Sequence, residues 1–363
     1  MKKFSAGDWV EVRSRGEILR TLDANGQLEG MPFMPEMFGF CGKRFRVYKR
    51  AHKTCDTVFP VRGRKVKDAV HLETRCDGSA HGGCQAGCLI FWKEAWLRPV
   101  AGAGLENGFV SADALAGGQA DGAATGCGEG DVVAATQLSR EDGEPVTYVC
   151  QATRLPYATS DLEWFEWRQY REDYLSGNVG LWQIVCGATY FAYYWLTRAG
   201  IGLGRPLRWL YDKFYWAWGG APFPRRCGAI PEGQSTPVET LNLQPGELVR
   251  IKSYGEILGT LNTGNRNRGL FFDAEEVPYC GGTYRVLRRV ERIINERTGH
   301  MREMKTPCIV LDGVVCQSRY SECRLFCPRS IFAYWREIWL ERVGPPPAAG
   351  ARLSEEQTER VEA

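Results

Sequence analysis

The 363-residue sequence is short of the groups that most binding and catalytic motifs require. It has four histidines, His52, His71, His81 and His300, so a site with several metal ligands must be mostly sulfur. Soft thiolate sites suit zinc, copper(I) or iron–sulfur clusters and disfavour magnesium and calcium. There is no P-loop, no G-x-G-x-x-G after a strand and no G-x-S-x-G, so nucleotide binding and serine hydrolysis lack support. The close C-x2-C knuckle of structural zinc sites is missing too. Net charge is +3, too little for a nucleic-acid coat or a polybasic membrane binder. The opening MKKFSAGDWVEV carries two lysines but no apolar stretch, and does not read as a secretory signal. A bilayer span needs about 20 predominantly apolar residues. The best candidate, 180–198, is interrupted by Gln183, Thr189 and three tyrosines. It reads as a buried helix clamping its neighbours rather than one that crosses a bilayer or lies on it.

Cysteine, in contrast, is abundant, with fourteen in all. Without a signal segment the expected location is the reducing cytoplasm, where disulfides are rare and retained cysteines are more often metal ligands or catalytic thiols. Hydrophobic content of 44% and charged content of 25% are those of an ordinary globular chain.

The chain contains an internal repeat. GDWVEVRSRGEILRTL from Gly7 matches GELVRIKSYGEILGTL from Gly246, an offset of 239 residues. The match persists through Gly30/Gly269, Phe33/Phe272 and Glu36/Glu275 to Cys41/Cys280. A second block, FWKEAWLRPV from Phe91 and YWREIWLERV from Tyr334, closes each copy, with Trp92 and Trp96 answering Trp335 and Trp339. Each copy predicts an opening strand around Val10 and Val12 or Val249 and Ile251. A short helix at 16–22 and a strand at 40–48 follow in the first copy, and an aromatic helix ends each copy.

Gly7-Asp8-Trp9-Val10, Pro35-Glu36-Met37 and Gly42-Lys43 leading to Val47 resemble the small SH3-like barrels of the Mind-bomb type. That resemblance covers about 45 residues of each copy and implies a small β-barrel. The whole chain also resembles an uncharacterised bacterial family of duplicated Cys-rich modules. The expected fold class is α+β: two SH3-like modules (1–100 and 236–345), each with a terminal aromatic helix. An Ala/Gly-rich flexible linker (101–150) and a helical insertion (151–235) would join them, and a disordered tail (346–363) would follow. In the insertion, helices are expected over EWFEWRQYREDYL, capped by Thr159 or Ser160, over 180–198 and over 206–218.

The cysteines fall into matching groups. Cys41, Cys76, Cys84 and Cys88 in the first copy, and Cys280, Cys316, Cys323 and Cys327 in the second, are the predicted ligands of two metal or cofactor sites. Cys55 and Cys308 are extra members. Four thiolates complete a zinc tetrahedron or hold one iron–sulfur cubane. The loose x3 and x6–x7 spacings lean toward iron–sulfur, with zinc the alternative. His81 is a further candidate ligand, and a Cys84–His81 nucleophile pair a weaker thought. The expectation is a metal- or cluster-binding protein acting in electron transfer, or as an accessory that binds a protein partner such as a redox or biosynthetic enzyme. A zinc-stabilised interaction module is the alternative. Basic runs at 43–53, 62–67 and 285–292 raise single-stranded nucleic-acid binding as a third reading, against which the balanced total charge weighs.

Overall fold

A computed structural model describes residues 3–58, 62–100, 126–138, 144–199, 202, 204–217, 221–321 and 323–344. Most of the expected linker and all of the expected tail lie outside these residues. The chain forms two compact units. The first comprises 1–213 with 292–304 and 315–332; the second comprises 214–291 with 305–314 and 333–363. The fold class is α+β, built on antiparallel sheets, two of which curl into half-barrels.

The repeat is visible element by element. Trp9–Val12 and Leu248–Ile251 are strands with alternate residues buried, Val10 and Val12 in one and Val249 and Ile251 in the other. Short helices follow at Arg15–Leu19 and Tyr254–Gly259. Each starts with an S-x-x-E sequence, in which the Glu17 carboxylate accepts from the Ser14 N–H at 3.0 Å and Glu256 accepts from Ser253 at 2.9 Å. A 3₁₀ turn comes next, Pro35–Phe40 or Ala274–Tyr279. The Arg44–Arg50 and Thr283–Ile294 strands then pair back onto the first strand. Registers agree: Trp9 faces Arg46 and Leu248 faces Arg285, while Val12 faces Leu97 and Ile251 faces Leu340. Both sequence offsets are thus carried into the pairing.

The expected terminal aromatic helices do not form. In the first copy the segment is a strand, Leu89–Lys93, a one-turn 3₁₀ helix, Glu94–Trp96, and a second strand, Leu97–Pro99. The second copy repeats the turn at Glu337–Trp339 and the strand at Leu340–Arg342. A strand in the first copy, or an isolated bridge at Trp335 in the second, followed by the tight turn brings both tryptophans of each pair to the core as a helix would. All four, Trp92, Trp96, Trp335 and Trp339, are fully buried. Trp96 donates to Thr21 Oγ1 at 3.1 Å and Trp339 to Thr260 Oγ1 at 2.8 Å. Phe33 meets Trp96 edge-on with centroids 5.2 Å apart, and Phe272 meets Trp339 at 5.3 Å.

Helices span Gln151–Ala158, Trp167–Leu175, Leu181–Arg198 and Gly204–Ala217. The Trp167–Leu175 helix is not capped by Thr159 or Ser160. Ser160–Leu162 instead pairs as a strand with Gly63–Lys65, in a three-stranded sheet that also holds Lys53–Cys55. The Leu181–Arg198 helix is less buried than expected: it buries only Gly187, Tyr190, Tyr194 and Thr197 and exposes Leu181, Trp182, Val185, Trp195 and Leu196. Among the described residues no helix is long and apolar enough to cross a membrane.

One buried histidine gives the first unit an acid-sensitive core. His71, in the Ala69–Arg75 strand, is fully buried and donates from Nδ1 to the Ile90 carbonyl at 2.8 Å, while its Nε2 has no partner. Burial pushes its pKa down to about 3, against about 6.5 in an unfolded chain. Between those values the unfolded chain takes up a proton that the folded one refuses, so stability falls as pH drops. Urea titrations should show His71 accounting for a loss of about 2 kcal/mol between pH 7 and pH 5. A His71→Phe variant should lose that part of the pH slope; an unchanged slope would contradict the assignment.

Candidate metal centre

The Ala69–Arg75 strand delivers Cys76 to the start of a tight loop, and the Cys76 N–H donates to the Cys88 carbonyl at 2.9 Å, closing the loop neck. Within it, the His81 N–H donates to Gly78 and the Cys84 N–H to His81, at 2.9 and 3.2 Å. Gly78 has a φ of +75°, and a Cβ there would lie 2.0 Å from the Cys84 carbonyl oxygen. Only glycine fits that close approach, so this residue sets where Cys84 sits. Cys150 arrives from another direction, as the N-cap of the Gln151–Ala158 helix.

Cys76, Cys84, Cys88 and Cys150 line one cavity in the first unit, with His81 and Arg329 also on its wall. All four cysteines are half-buried. The Ile294 N–H donates to Cys84 Sγ at 3.4 Å, and backbone amides beside two other sulfurs, Gly78 at Cys76 and Thr153 and Ala152 at Cys150, oppose the effect of burial on those thiols. Burial pushes the Cys88 thiol up to about 12, opposed by the Arg329 charge, and the Cys150 thiol up to about 11. Cys76 is raised further, by burial first and then by Glu36. Without a cation, burial therefore favours the neutral thiol at Cys76, Cys88 and Cys150. A bound metal would supply the charge that drives deprotonation.

Beside this cavity, Glu36, Cys76 and His81 place one ligating atom each within 4.8 Å of one another, the one such trio among the described residues. Glu36 Oε1 is 3.0 Å from His81 Nδ1 and 3.0 Å from Cys76 Sγ. Its Oε2 is buried without a hydrogen-bond partner. His81 Nε2 stands 3.1 Å from the Val149 carbonyl. Burial opposes the Glu36 charge, but the hydrogen bond and charge of His81 hold its carboxyl below the usual value.

Of the predicted ligands, Cys76, Cys84 and Cys88 come together. Cys41 does not line the cavity: it caps the Pro35–Phe40 turn, where its charged neighbours are Arg15 and Glu129. Cys280 caps the Ala274–Tyr279 turn in the same backbone conformation, and belongs to the second unit. There its Sγ faces the Glu276 carbonyl at 3.9 Å. Cys308 is also in the second unit, buried, with Arg336 Nη1 at 3.4 Å. Cys316, Cys323 and Cys327 are counted with the first unit, so the predicted second set is divided.

Sequence reasoning missed Cys150 and Glu36 as site residues. Glu36 carried one signal, its match to Glu275 across the repeat, and both are buried. Cys150 carried none, since it lies beyond the Ala/Gly-rich segment with no partner cysteine near it in sequence. The basic run at 43–53 is not a continuous cationic face. Arg50 is buried against Glu94 at 2.7 Å, and Lys53 is buried against Asp173 at 2.6 Å. No family model matches the chain, and no curated protein matches it in sequence.

Proposed function

We propose that the protein binds a soft metal centre through Cys76, Cys84, Cys88 and Cys150, and that it serves in electron transfer or as an accessory to a redox or biosynthetic enzyme. The observation that carries this is the meeting of four thiols on one cavity, where Cys84 accepts from the Ile294 N–H and backbone amides stand beside Cys76 and Cys150. Hydrogen bonds to sulfur are a means of holding thiolate ligands and of tuning cluster potential. Sulfurs around one zinc stand about 3.7 Å apart, which follows from a Zn–S bond of about 2.3 Å. No three of these four sulfurs lie within 4.8 Å of one another. That wider spread favours an iron–sulfur cluster, which would supply one-electron chemistry. The same reading would make each repeat an SH3-like barrel that serves as framework.

A single zinc on Glu36, Cys76 and His81 is the second reading. It is favoured by the unpartnered Glu36 Oε2 and by the Val149 carbonyl, which would accept the remaining ring N–H of a metal-bound His81. Anaerobic purification followed by iron, sulfide and zinc analysis and visible absorption separates the two. Iron with acid-labile sulfide and a brown colour supports the cluster. Colourless protein with one zinc, lost in Glu36→Gln, supports the trio. Metal-free protein that cannot be loaded by reconstitution overturns both.

A further inference from the structure

The first unit contains another group of thiols that neither reading uses. Cys55 ends the Lys53–Cys55 strand, and Cys327 lies in the segment 315–332. The two are in contact although 272 residues separate them in sequence. The Cys55 N–H donates to Cys327 Sγ at 3.1 Å, and the Arg329 backbone N–H is aimed at the same sulfur. Both residues are nearly sealed from solvent, Cys55 at 5% and Cys327 at 3% exposure. Arg329 sits beside them, with Nη1 4.0 Å from Cys55 Sγ and Nη2 3.0 Å from Glu296.

We propose that Cys55 and Cys327 form a second site for a thiophilic dipositive ion, distinct from the cavity of Cys76, Cys84, Cys88 and Cys150. It rests on the reading of the protein as a soft-metal binder and extends it to residues that the repeat pattern does not pair. Cysteines that only fill a core are small apolar groups and have no use for a guanidinium or for two N–H groups on one sulfur. Here a buried cation and two amides converge on the pair, the surroundings of an anionic sulfur. Two thiolates and a dipositive ion sum to zero charge, leaving Arg329 and Glu296 to balance one another, which suits a dry interior. Arg329 also lines the first cavity, so it stands against both groups of thiols.

Cadmium is the probe, because its thiolate absorption counts bound ions. The full chain, stripped of metal and reduced, is titrated under anaerobic conditions. Two classes of site are expected. Cys327→Ser and Cys55→Ser should each remove one class, Cys84→Ser the other, and Cys280→Ser neither. As a measurement that does not depend on how the buried-thiol variants fold, wild-type protein is also pulse-alkylated with and without cadmium. Cys55 and Cys327 should become at least tenfold slower to label when the ion is present. One class of site that survives Cys327→Ser, with labelling of Cys55 and Cys327 unchanged by cadmium, overturns this site and leaves the cavity reading standing. Recovery of Cys55 and Cys327 as a disulfide that cadmium does not prevent overturns it in favour of a redox pair. Absence of any binding overturns both readings together.

Discussion

Cys88→Ser should strip the metal from the four-thiol cavity, weakening binding there by more than tenfold, while Cys41→Ser should leave it within about twofold. Outer groups that merely orient a ligand are worth about 10–100-fold in metal affinity, so loss of a ligand should cost at least as much. Cys88 lies deep beside Cys84, Cys150 and Arg329, and its backbone carbonyl closes the loop neck with Cys76. Serine keeps that backbone bond and removes only the sulfur. Cys41 is half-buried at the end of a 3₁₀ turn, and its sulfur does not line the cavity. Metal analysis and visible absorption of the two variants, purified in parallel, make the comparison. Equal loss in both, or in neither, would reject the assignment of the site.

The largest stability losses should come from the matched tryptophans. Trp96→Ala should destabilise the first unit and Trp339→Ala the second, each by about 3–5 kcal/mol. That is a large part of the 5–15 kcal/mol typical of a folded domain. Both side chains are fully buried, both lie edge-on against a phenylalanine, and both donate to a threonine hydroxyl. Truncation therefore opens a cavity and leaves the hydroxyl without its donor. Calorimetry is the test. Each substitution should lower the melting of its own unit, and a variant in which Trp339→Ala leaves every transition in place would contradict the assigned core.

The framework was legible where local pattern and tertiary structure agree. Val10 and Val12 alternate with exposed neighbours, Val249 and Ile251 do the same, and the 239-residue offset recurs in strand register. The tryptophan segments were misread because residues four apart share a face on a helix. A strand that runs into a 3₁₀ turn meets the same requirement, and nothing local separates the two. The thiols were only partly legible. Cys76, Cys84 and Cys88 lie within one loop whose glycines announce its curvature. Cys150 reaches that loop through the placement of a helix start, and Cys55 reaches Cys327 across most of the chain. Such meetings are decided by packing, which sequence spacing does not encode. Cys41 and Cys280 illustrate the opposite case: their equivalence marks a repeat position, with the same backbone angles in both copies, and Cys41 does not line the cavity of the other first-copy thiols.

The chain's discontinuous first unit has a consequence for synthesis. Its first stretch ends at residue 213, yet Ile294, Cys327 and Arg329 belong to it and are made later. Ribosomes add about 5–20 residues per second. Cys55, Cys76, Cys84, Cys88 and Cys150 therefore emerge on the order of ten seconds before the amide, thiol and guanidinium that complete their surroundings. Throughout that interval they are nascent thiols with open neighbours, and neither proposed centre has its full surroundings before residue 329 has emerged.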